Sequence, residues 1–169
     1  MASVSLPAVQ SSTTRKFSIL LVVILVILTI QAWTGDTVAI FSSPAGASGF
    51  FAAVASGGAA LVWHASEGIL LSILAVVAFA LSLVWSESRA VRIASGLGLL
   101  FVFIAAVGGF LFVMSGFTAG GNSSQMGTGF LGSYASYFIA LYYARSLKVR
   151  FDSEEHTPVV DGDMKGGAN

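Results

Sequence analysis

The sequence predicts an all-α fold: an integral membrane four-helix bundle with both termini in the cytoplasm and a short cytoplasmic turn between the second and third spans. Three observations predict it. Of 169 residues, 56% are hydrophobic and only 9% are charged, with a mean hydropathy of +0.87. Soluble domains carry about 25% charged residues. The apolar residues form runs long enough to cross a hydrocarbon core of about 30 Å. Finally, four spans put all eight lysines and arginines on one side.

Residues 1–16 are small and polar and read as a disordered cytoplasmic tail ending in Arg15 and Lys16. Residues 17–33, from Phe17 to Trp33, form the first span. A secretory signal would have an apolar stretch of about 7–15 residues followed by a small-residue cleavage site. The Gln31-Ala32-Trp33 end fits that poorly, so the helix is expected to be retained. Gly35, Pro44 and Gly46 mark residues 34–48 as a loop.

Residues 49–85 are apolar almost without a break, and a helix that long would run about 55 Å. The segment therefore divides. Counting back from Trp85 gives a second span over residues 62–85, with Trp63 in the opposite aromatic belt. Residues 49–61 are then an outer interfacial or re-entrant segment, or an extension of the second helix. Residues 86–92 form a charged turn, 93–115 the third span, 116–124 a glycine-rich turn and 125–143 the fourth span. Residues 147–169 read as a second disordered cytoplasmic tail, basic and then acidic.

Orientation follows from charge. Arg15, Lys16, Arg89, Arg92, Arg145, Lys148, Arg150 and Lys165 share one side, and the positive-inside rule makes that side cytoplasmic. The plasma membrane is the expected location. A net charge of +0 provides no basic field for nucleic acid. The absence of cysteine excludes disulfides, thiolate metal sites and a cysteine nucleophile. The expected partners are the lipid bilayer and other membrane subunits or further copies of the chain.

Candidate chemistry concentrates at the outer helix ends. Glu67 is the only acidic residue within a span, and His64 is the only histidine outside the tail. They lie three apart on one helix face, where they can form a hydrogen-bonded pair. Ionisable residues within a span mark functional sites by default, so both are candidates for an ion or proton site. A boundary pair reaching headgroups or water is the plainer alternative. Thr29 and Gln31, Ser66, Met114 with Ser115 and Thr118, and Gln125 with Met126 and Thr128 are expected at the same level. His64 with Met114 or Met126 would supply the imidazole and thioether of a haem b or copper site. Gap-filling is the ordinary role of such methionines.

Small residues recur on the third and fourth spans, with Gly132 and Ser136 at the spacing that lets helix backbones approach closely. Tyr134 and Tyr137 lie deep in the fourth span, where their hydroxyls need partners. Asn122-Ser123-Ser124 is a glycosylation sequon beside the membrane. No catalytic residue set is present. The favoured function is a non-catalytic subunit or scaffold of a larger membrane complex. The alternatives are an electron-transfer protein binding haem, copper or quinone at His64, and a small transporter or channel subunit using Glu67 and His64.

Overall fold

The computed structural model describes residues 6–42 and 49–155, with side chains over 12–42 and 49–146. The described residues are all helical or in short connections. The helices are α1 (Leu6–Phe41), α2 (Phe50–Ser56), α3 (Ala59–Trp85), α4 (Arg89–Met114) and α5 (Gly120–Glu155). Three of them, α1, α3 and α4, are long and apolar enough to cross a membrane.

α1 differs from the sequence expectation at both ends. It begins at Leu6, within the stretch read as a tail, and it continues through Gly35 to Phe41, within the stretch read as a loop. Pro7 is tolerated because it sits in the first turn, where its missing N–H has no helical partner to lose. An isolated glycine costs a helix only about 1 kcal/mol. Gly35 serves a packing role: a Cβ there would lie 3.2 Å from His64 Cε1. Residues 34–41 are thus helical, and residues 43–48 lie outside the described part.

Residues 49–61 divide between two elements. α2 is a single short helix, and the chain breaks at Gly58, whose φ of 88° favours glycine. α3 then runs 27 residues, about 40 Å. Arg92 Nε donates to the Ser86 carbonyl at 2.8 Å, which closes the α3–α4 turn. Ser88 caps α4 by accepting from the Val91 N–H.

The α4–α5 turn is shorter than the sequence suggested. The Gly116 N–H donates to the Val113 carbonyl at 3.0 Å, and the Phe117 N–H to the Phe112 carbonyl at 3.1 Å. With Gly116 at φ 63° and Phe117 stacked on Phe112 at 5.0 Å, this is a Schellman motif with its hydrophobic contact. α5 therefore starts at Gly120, and Asn122 of the sequon lies on a helix, with its carbonyl packed close to Gly108. No glycine or proline interrupts the chain between Gly132 and Pro158, so α5 runs on to Glu155, into the stretch read as a tail. Residues 156–169 of that tail lie outside the described part.

α1 packs against α3 and α5, α3 against α4, and α4 against α5. Phe17, Leu21, Ile24 and Leu28 of α1 meet Leu71, Ala75 and Ala78 of α3, Val91, Ala94 and Val102 of α4, and Tyr137, Ala140 and Ala144 of α5 in one buried core. A second, smaller core joins Val38, Ala53, Leu61 and Val113 beneath α2.

α4 and α5 run antiparallel with their backbones nearly touching. A Cβ on Gly129 would lie 2.6 Å from the Ala105 nitrogen, and one on Gly108 would lie 2.9 Å from the Met126 nitrogen. This explains why α5 is not among the three apolar spans. Its buried face is Gly129, Ser133, Ser136 and Ala140, small residues that allow close approach, with Tyr137, whose ring lies against Gly98. Ser133 Oγ returns its proton to the Gly129 carbonyl at 2.8 Å.

Candidate functional site

The long helices place the polar residues of α1 and α3 side by side near the end where α2 lies. Five side chains, those of Gln31, Thr34, Trp63, His64 and Glu67, form one network. Thr34 Oγ1 donates to Glu67 Oε2 at 2.8 Å and lies 3.0 Å from His64 Nδ1. Trp63 Nε1 donates to Glu67 Oε1 at 2.8 Å from one turn away on α3. Gln31 Nε2 donates to the His64 carbonyl at 3.1 Å and lies 3.3 Å from His64 Nε2.

These partners fix the roles of the imidazole nitrogens. The Thr34 hydroxyl has one proton, and its shortest bond gives that proton to Glu67. It must then accept from His64, so Nδ1 carries the hydrogen. Nε2 is left as an acceptor for the Gln31 amide, which the neighbouring His64 carbonyl holds with its nitrogen inward. The assignment follows from the network. His64 and Glu67 are thus joined through Thr34 rather than by the direct pair their spacing suggested. Both imidazole nitrogens and both carboxylate oxygens have partners within α1 and α3. Gln31 Oε1 is buried without a hydrogen bond.

The other polar residues expected at this level do not join the network. Thr29 Oγ1 donates to the Leu25 carbonyl, Ser66 Oγ to Val62, Ser115 Oγ to Phe112, and Thr128 Oγ1 to Ser124. Each hydroxyl bonds back to its own helix, so convergence is confined to α1 and α3. Met114 is 48% exposed at the end of α4, and Met126 Sδ faces Gly109 across the α4–α5 crossing. The hydrogen bonds of His64 run to α1, whereas both methionines belong to α4 and α5. Among the described residues, no three histidine, aspartate or glutamate side chains gather in a group able to hold a metal ion.

Thr34 is the residue that sequence reasoning missed. It was assigned to a loop because of Gly35, and its hydroxyl is the centre of the network. The signal available was its spacing: Gln31, Thr34 and Gly35 lie at i, i+3 and i+4, one helix face. Above the network, Trp33, Thr34, Thr37, Ala60 and Trp63 line a shallow hollow of about 220 Å³. Comparison with protein families, with curated proteins and with solved structures gives no match to this chain.

Proposed function

We propose that the protein is a four-span membrane protein, a four-helix bundle of α1, α3, α4 and α5, that serves as a non-catalytic subunit or scaffold of a larger membrane complex. The observation that carries this reading is the closed hydrogen-bond network of His64 and Glu67, which joins α1 to α3 and leaves neither ring nitrogen free for a metal. It acts as an interhelical clamp rather than a reaction centre. Of the most apolar windows of α1, α3 and α4, only 22%, 22% and 17% is buried within the chain. Exposed apolar surface on that scale needs lipid or protein against it. α5 serves as the fourth span because its small residues pack on α4 instead of facing lipid.

The basic residues support an arrangement with both termini cytoplasmic, in the plasma membrane. Lys16 and Arg15 lie on α1 far from Thr34, Arg89 and Arg92 lie in the first turn of α4, and Arg145 lies in the last third of α5. Antiparallel packing brings all five to one end.

Purification in a mild detergent tests this reading. The protein is expected to be colourless and to migrate with other membrane subunits or as an oligomer. A Soret band that disappears in His64→Ala would replace the scaffold reading with electron transfer. A reporter fused after Asn169 should be cytoplasmic, and an outside signal would overturn the orientation.

A further inference from the structure

The hollow above the clamp has a wall on each of two helices. Trp33 and Thr37 lie one turn apart on α1, and Ala60 and Trp63 face them from α3. Both indoles are largely exposed, 75% for Trp33 and 62% for Trp63. The Glu67 carboxylate does not itself line the hollow but is bonded to Trp63 Nε1 and Thr34 Oγ1, two of the residues that do.

Charge decides what such a hollow would hold. Between Phe17 and Ser86 the charged residues are Asp36 and Glu67, with no lysine or arginine; between Ile93 and Ala144 there is no charged residue at all. Lys16 precedes Thr34 by 18 residues, about 27 Å along α1. Among the described residues, Glu67 therefore has no lysine or arginine within reach, and the only ionisable side chain in its network is His64. The indole N–H bond to the carboxylate also pushes electron density into the Trp63 ring, which strengthens its negative face.

We propose that this hollow binds an organic ammonium group, of the choline type, between Trp33 and Trp63 with Glu67 as the counter-charge below. Two indoles in the wall and a carboxylate bonded to two wall residues are the chemistry that recognises a weakly hydrated cation, and indole is the strongest of the aromatic partners for it. The Thr37 hydroxyl, which donates to the Trp33 carbonyl at 3.1 Å, stiffens the α1 wall. The site goes beyond the scaffold reading and stands whether or not the chain joins a complex.

The test uses the full chain in a maltoside detergent, which has no ammonium group. Choline is titrated while tryptophan fluorescence is recorded, with 3,3-dimethylbutan-1-ol as the uncharged molecule of the same shape. A saturable change with choline is expected, and binding at least about tenfold weaker for the alcohol. Trp33→Leu touches no hydrogen bond of the clamp and should weaken choline about tenfold. Glu67→Gln keeps an acceptor for Trp63 and should do the same. Equal binding of choline and the alcohol, unchanged binding in Trp33→Leu, or no saturable change with choline would overturn the proposal. Repeating the titration in nanodiscs identifies the source: loss of choline binding in phosphatidylcholine but not phosphatidylglycerol discs assigns a lipid headgroup, and retention in both assigns a soluble amine.

Discussion

The α4–α5 crossing can be tested with two alanines on one helix. Gly127 and Gly129 are two residues apart on α5. A Cβ on Gly127 would meet nothing within 4 Å, whereas one on Gly129 would lie 2.6 Å from the Ala105 nitrogen and 2.7 Å from the Phe101 carbonyl oxygen. Both substitutions gain the same helix propensity, up to about 1 kcal/mol, so that contribution cancels in the comparison. What remains is the contact. Backbone atoms cannot rotate aside, so α5 must move about 1 Å to restore ordinary separation. A gap of that size forfeits roughly a quarter to a half of each dispersion well it opens. Packing is the main force between helices in lipid. Gly129→Ala is therefore expected to be less stable than Gly127→Ala by about 1–3 kcal/mol, the usual range for overpacking. Unfolding in mixed micelles, followed by helix content, measures the difference. Equal stability of the two variants would refute the close crossing.

Three further outcomes follow from individual residues. Tyr137 is fully buried and its hydroxyl has no hydrogen bond among the described residues, so Tyr137→Phe should be neutral or stabilising, by up to about 1–3 kcal/mol; a loss above about 1 kcal/mol in the same micelle assay would show a partner for that hydroxyl. Gly35→Leu should destabilise by about 1–3 kcal/mol because its side chain would displace the His64 ring, and full tolerance would return residues 34–41 to the status of a loop. Thr34→Val keeps the shape and removes the hydroxyl shared by His64 and Glu67. It should cost about 1–2 kcal/mol, less than the same deletion in a soluble core because the unfolded chain in the membrane also finds partners.

The long apolar helices were legible where hydropathy alone decides them. The apolar runs ending at Trp85 and Met114 are helices to within a few residues of expectation, because lipid-facing surface must be apolar along its whole length. Legibility failed where a residue's role is set by a distant partner. Gly35 is a loop signal in isolation and a packing position once His64 lies against it. Gly129 is a small residue in sequence and a backbone contact in space. The helicity of α5 was legible, but its apolarity was overstated, since its buried face is built for approach to α4. At the site, Gln31 and His64 were expected at one level, and they do meet. The bridging role of Thr34 required knowing that α1 continues past Trp33. Spacing alone pointed to a direct His64–Glu67 pair because it contains no information about a third side chain from another helix.

His64 and Glu67 are joined through Thr34 in a network that ties α1 to α3. A double-mutant cycle of Thr34→Val and Glu67→Leu, followed by unfolding in mixed micelles, measures the strength of that tie. A coupling of about 0.6–1.7 kcal/mol is expected between the two sites, from the average to the largest value seen for hydrogen bonds between membrane helices. Additivity within about 0.3–0.5 kcal/mol, as for independent positions, would contradict it.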